Sequence, residues 1–133
     1  MALFLAKTEP GTYSIDDLKR DGRTEWDGVR NPFAVQAIKS MKPGDRVLIY
    51  HSGKDRAVVG LAEVVSDPRP DENDERSWVM DLQYLQHAKK PVTLQAVKDS
   101  HQFDDFALVR QGRLSTMSAP DAFWAWLQQQ GAF

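Results

Sequence analysis

Two β-rich runs, Arg46 to His51 and Ala57 to Val65, stand next to each other in mid-chain, joined by Ser52-Gly53-Lys54-Asp55. Apolar and β-branched residues fill both runs, and a short polar reversal separates them, so the pair predicts an antiparallel hairpin. A lone hairpin is at best marginal in water, so this one needs strands or helices packed against it. The flanking sequence offers short candidates for both. Ala2-Leu3-Phe4-Leu5-Ala6-Lys7 reads as a buried strand stopped by the turn signal Glu9-Pro10-Gly11. Ser14 with Asp17 three residues on opens a short helix that Gly22 ends. Asn31-Pro32 starts another, with Ala34, Ile38 and Met41 at helical spacing until Pro43-Gly44-Asp45. Asp67 to Arg76 is Pro- and acid-rich and reads as a surface loop, Trp78 to Tyr84 as a strand, and Pro91 to Val97 as a short helix. Ser118-Ala119-Pro120-Asp121 caps a last helix whose Phe123, Trp124 and Leu127 make one apolar face, ended by Gly131. Helices between strands are too few for a parallel sheet. The expected architecture is α+β: a strongly bent sheet or small β-barrel with peripheral short helices, in one domain over residues 1–133.

Composition removes several classes of function. Cysteine is absent, which excludes disulfide scaffolds, thiolate zinc sites and a Cys nucleophile. No apolar run approaches the ~20 residues of a membrane helix. Met1 to Ala6 is too short for a signal peptide and lacks a basic start, so the expectation is a cytoplasmic protein. His51, His87 and His101 have no metal-ligand spacing, and the acidic stretch Asp71 to Glu75 lacks the pattern of a calcium loop, so no metal is expected. There is no Gly-rich phosphate loop or Gly-x-Ser-x-Gly elbow, and no cofactor is expected. The net charge of -2 argues against coating nucleic acid by phosphate neutralisation alone. Charge is nonetheless uneven: Lys19 to Arg56 holds nine Lys/Arg against five acids, and Glu63 to Asp81 two Arg against seven acids. A local positive surface on an acidic chain suits docking of one charged ligand at one place.

The remaining polar and aromatic residues cluster at strand ends and turns. Trp26-Asp27-Gly28-Val29-Arg30-Asn31 puts a Trp, an Arg and an Asn within six residues, just before a helix. A Trp offers a flat face for a base, an Asn a donor and an acceptor for a base edge, and an Arg a two-point grip on phosphate. The same string serves equally as a core Trp, an Asn that only caps its helix and an Arg in a surface ion pair. Tyr50-His51-Ser52 closes a strand where residues often line a pocket mouth, and Arg113-Leu114-Ser115 places two polar groups around one anchoring Leu.

Taken together, Lys7-Thr8-Glu9-Pro10, Trp26-Asp27-Gly28-Val29-Arg30-Asn31, Met41-Lys42-Pro43-Gly44-Asp45, Tyr50-His51-Ser52, Gly60-Leu61-Ala62-Glu63-Val64 and Gly112-Arg113-Leu114-Ser115 resemble, in order and spacing, the motifs of the EVE domain family. The resemblance runs from about Leu3 to Leu127. It implies a PUA-like fold, a small, partly open β-barrel flanked by helices, akin to the YTH domains that hold a methylated adenine in an aromatic cage. The implied function is non-catalytic binding of a modified or flipped-out nucleobase, in DNA or RNA, through an aromatic pocket. By motif, Trp26 would wall the pocket, with Arg30 and Asn31 at its rim. His51 and Ser52 would stand at the end of the central strand, Lys7 and Thr8 near the floor, and Arg113 and Ser115 in the late Arg-Leu-Ser. Trp78 matches a structural Trp. The chain departs from the family pattern in Leu5-Ala6 before the first motif, in Pro32-Phe33-Ala34 where a more polar stretch is usual, and in a shorter loop after Asp67.

Two rivals come from other classes. PUA-like barrels include small amidohydrolases that act on a modified nucleoside with a Lys, a Thr and a Glu, here Lys7, Thr8 and Glu63. Neighbouring strand residues point to opposite faces, which counts against Lys7 and Thr8 sharing a pocket. The other rival is a protein-interaction module, which a pocket closed by Trp26 and Phe33 would favour.

Overall fold

In the computed structural model, which describes residues 1–133, the central hairpin is formed by β3 (Arg46–His51) and β4 (Ala57–Val64). Both strands are almost wholly buried, so their apolar runs are continuous rather than alternating. β1 (Leu3–Thr8) lies parallel to β3, in register from Leu3↔Arg46 to Thr8↔His51. This is the one parallel pair in an otherwise antiparallel sheet. The chain reaches β3 through α1 (Ile15–Asp21), β2 (Arg23–Trp26) and α2 (Pro32–Lys39). β6 (Asp74–Thr93) covers the other side of β4 and carries β2 on its own far side, with Trp26 opposite Met80. β7 (Thr116–Ser118) completes the sheet beyond β1, giving the order β2-β6-β4-β3-β1-β7, while β5 (Arg69–Asp71) pairs with the start of β6. The remaining helices are α3 (Leu94–Ser100), α4 (Ala107–Arg110) and α5 (Asp121–Gln129).

α2 packs against both β6 and β7, and so bridges the two ends of the bent sheet. The sheet does not close into a barrel; the fold is α+β and PUA-like. Helix starts follow the sequence signals. Ser14 and Asp17 form a reciprocal capping box on α1, and Asn31 caps α2 ahead of Pro32 at the first helical position. Close packing of α1 on the sheet depends on Gly60: a Cβ there would stand 2.4 Å from Ile15 Cδ1 and 3.0 Å from the Gln86 carbonyl oxygen. The glycine lies where the pairing of β4 with both neighbours slips register.

Several expected elements are corrected. The strand at Trp78 to Tyr84 extends over Asp74–Thr93, and the helix expected from Pro91 begins only at Leu94. Pro91 fits a strand because β2 stops pairing at Gln83, so β6 has β4 as its only strand neighbour there. The Asp67 to Arg76 stretch is no simple loop; it holds β5 and a tight turn in which Asp71 Oδ1 accepts the Asn73 N–H at 2.9 Å. β2 and α4 were not legible, being four residues each. α5 begins at Asp121 with no side-chain cap, and its buried face is Phe123, Trp126 and Leu127. Trp124 instead stacks on Phe133 at 5.0 Å. Trp78 is half-buried against the core, under the Lys39 ammonium at 4.9 Å. No helix is long and apolar enough to cross a membrane.

Candidate nucleobase-binding site

A cavity of 390 Å³ opens where the two edges of the sheet come round towards each other. Its walls come from the end of β1 (Lys7, Thr8), the turn before α1 (Thr12, Tyr13), β2 and its continuation from Thr24 to Val29, and Ser115 just ahead of β7. Four of the residues expected at a site therefore meet here: Lys7, Thr8, Trp26 and Ser115. The backbone holds them together. The Lys7 N–H donates to the Ser115 carbonyl at 2.7 Å, and the Thr8 hydroxyl donates to the Tyr13 carbonyl at 2.7 Å.

Trp26 is only 7% exposed and belongs to the core as well as to the cavity wall. Tyr13 meets it edge-on, with ring centres 6.2 Å apart and planes at 83°. The Tyr13 hydroxyl donates to Asp21 Oδ2 at 2.8 Å, which fixes the ring, and burial pushes that hydroxyl's pKa up. Tyr13 was missed in the sequence. Its signal was its place directly before the Ser14 cap, where a hydrophobic residue packs back on the first turn of a helix.

Lys7 is the chemically unusual member. Its ammonium is half-buried, lies 5.5 Å from the centre of the Tyr50 ring and donates to the Gly112 carbonyl at 3.0 Å. No carboxylate forms an ion pair with it, and burial holds its pKa below the ordinary lysine value. Two acids stand at the mouth. Arg69 binds Glu25 at 2.6 Å and Asp81 at 3.0 Å, while Asp27 is exposed and enters no ion pair. Neither acid, nor Thr12, Thr24 or Gly28, was singled out from the sequence.

The other expected residues lie outside the lining. Arg30 forms an ion pair with Asp74, tying the segment after β2 to the start of β6. The Asn31 side-chain oxygen accepts the N–H groups of Phe33 and Ala34 at 2.8 and 3.3 Å, a capping role. His51 is buried, and its Nε2 accepts the Ile15 N–H at 3.0 Å, seating the first turn of α1. The Ser52 hydroxyl donates to the Thr8 carbonyl at 3.4 Å. Arg113 is exposed and free of ion pairs. The proposed Lys-Thr-Glu trio is not assembled. Lys7 and Thr8 both contribute to the cavity lining, but as paired strand neighbours their side chains go to different partners, Lys7 to the Gly112 carbonyl and Thr8 to the Tyr13 carbonyl. Glu63, however, pairs with Arg46, level with Leu3 at the far end of β1, roughly 13–16 Å along the strand direction and two strands over.

Comparison with known proteins places this geometry in a family. Human thymocyte nuclear protein 1 is 31% identical over 127 residues, covering 74% of this chain and 56% of the human protein. The chain thus spans little more than half the length of that relative. A solved structure from Agrobacterium tumefaciens superposes with a TM-score of 0.94 at 30% identity, covering 100% of this chain and 94% of that one. The human THYN1 protein in complex with 5-methylcytosine-containing DNA superposes with a TM-score of 0.86 at 26% identity, covering 98% of both chains. The family model of the EVE domain matches residues 2–130, and the chain belongs to the EVE domain family.

Proposed function

We propose that this chain binds a modified nucleobase, flipped out of DNA, in the cavity walled by Trp26, and that it does no chemistry on it. The observation that carries this reading is that one cavity is lined both by a Trp wall and by Lys7, whose half-buried ammonium has no carboxylate partner. Its 390 Å³ lies towards the lower end of the roughly 300–1,000 Å³ typical of small-ligand sites, a size suited to a base with its sugar at the mouth. Lys7 is a donor aimed at ring nitrogens or carbonyl oxygens, and Asp27 is an acceptor of the kind that takes an exocyclic amino group such as cytosine N4. Trp26 supplies the apolar surface on which a base loses water, worth ~1–3 kcal/mol for stacking. A methyl group buried against it adds ~0.8 kcal/mol. The relative solved with 5-methylcytosine-containing DNA supports DNA over RNA and a methylated cytosine as the base.

Glu63 lies away from Lys7 and Thr8, which supports a binding role over hydrolysis by a Lys-Thr-Glu trio. The test is a titration of 5-methyl-2′-deoxycytidine and its unmethylated parent, followed by quenching of Trp fluorescence and by chromatography of the recovered nucleoside. Saturable quenching with the nucleoside recovered intact is expected. No quenching, or conversion of the nucleoside, overturns the reading.

A further inference from the structure

Apart from Met1, Phe33 is the only large apolar side chain in the molecule that stands exposed, at 74%. It is not loosely held. Pro32 precedes it, the Asn31 side chain accepts its N–H at 2.8 Å, and the residues after it, Ala34, Val35 and Ile38, are buried under α2. A rigid helix start therefore carries an aromatic ring out into water, forgoing the burial free energy that such a ring gains elsewhere in the core. The groove beside Phe33 mixes apolar and polar residues: Ala37, Leu114 and Met117 with Gln36, Ser40 and Gln111.

This groove adjoins the base cavity. Leu114 and Thr116 face the Phe33 side of the strand that leads into β7, and Ser115 between them faces the Trp26 side. From Val29, in the cavity wall, only Arg30-Asn31-Pro32 intervene before Phe33. The exposed guanidinium of Arg113, free of ion pairs, lies next in sequence to Leu114, while Arg30 on the other approach is held by Asp74. The two stretches that supply Val29 and Ser115 to the cavity wall thus also carry, within a few residues, the lining of the Phe33 groove.

A base withdrawn from a duplex leaves a gap whose unstacking costs a few kcal/mol, and apolar side chains inserted between base steps are a recurrent way to fill such a gap. We propose that Phe33 enters the stack at the place the flipped base leaves, with Arg113 against a flanking phosphate, so that the chain reads its base from double-stranded DNA. This proposal rests on the base-binding reading above and adds to it the form of the partner.

The test compares Phe33→Ala and Phe33→Trp with the unaltered chain on three probes: free 5-methyl-2′-deoxycytidine, a single strand carrying one 5-methylcytosine, and the matching duplex. A 2-aminopurine beside the modified base reports unstacking in the duplex. Because Phe33 is exposed, both variants keep the fold, which thermal melting checks. Phe33→Ala is expected to weaken duplex binding about ten- to a hundredfold, to leave nucleoside and single-strand binding within about twofold, and to change the 2-aminopurine signal. Phe33→Trp is expected to retain duplex binding. Unchanged duplex affinity in Phe33→Ala, or equal losses on all three probes, overturns the wedge; the former would leave the ring free for a protein partner. If the unaltered chain binds none of the probes, the base-binding reading fails, and the wedge with it.

Discussion

Replacing Lys7 by Met separates the demands of stability from those of binding. The thioether keeps the length of the side chain over the Tyr50 ring and removes the charge that burial disfavours. The lost bond to the Gly112 carbonyl leaves an acceptor on an exposed residue, which water satisfies. Stability should therefore stay within about 1 kcal/mol of the parent, with no loss in melting temperature. Affinity should behave otherwise. A hydrogen bond from an ammonium to a base acceptor is worth ~1.5–3 kcal/mol, so Lys7→Met should bind a 5-methylcytosine duplex about 10- to 150-fold more weakly. The pH profile gives the same residue a second readout. Because the folded pKa is lowered, the unfolded chain holds the Lys7 proton to higher pH than the native one. Native stability thus rises between the lowered value and 10.5, while binding that needs the ammonium falls over the same window. Calorimetric titrations from neutral to alkaline pH should show that fall in the parent, beginning below 10.5, and a flat profile in Lys7→Met. Equal affinity of parent and variant at neutral pH would refute the argument that Lys7 touches the ligand.

Gly60→Ala forces a methyl group to within 2.4 Å of Ile15 Cδ1 and 3.0 Å of the Gln86 carbonyl oxygen, and should cost about 1–3 kcal/mol in chemical denaturation, with α1 loosened first in hydrogen exchange. Arg69→Met leaves Glu25 and Asp81, directly opposed across β2 and β6, without the guanidinium that joins them. Burial raises the Asp81 pKa, but the hydrogen bonds from Arg69 and Arg23 outweigh it and hold the value below 3.8. The stability this contributes is present above the unfolded pKa and lost as pH falls through the lowered folded one. The variant should accordingly be about 1 kcal/mol less stable near pH 7, and the deficit should shrink in acid; a deficit independent of pH would point to lost packing instead.

Much of the frame was legible because its signals are local. The Ser14 and Asp17 box, the Asn31-Pro32 start and the hairpin at Ser52 to Asp55 each depend on residues a few positions apart. β2 was not legible, since Arg23-Thr24-Glu25-Trp26 is only four residues long and is extended through its partner β6. The cavity suffered from the same blindness. Lys7, Thr8, Trp26 and Ser115 stand out by motif, but Tyr13 and Asp27 join them only because a bent sheet brings its two edges together. Conversely, Asn31 and His51, expected as ligand contacts, each use one side-chain atom on backbone N–H groups at the starts of α2 and α1. A polar residue at a strand end or helix start has two uses, and only its partner tells them apart.

The central claim, that the Trp26 cavity reads a modified base, is tested most directly by calorimetry on two duplexes that differ in one methyl group. With a single central cytosine or 5-methylcytosine, the methyl group buried against the Trp26 wall predicts about fivefold tighter binding of the methylated duplex, roughly 1 kcal/mol. Equal affinity for the two duplexes would contradict the account.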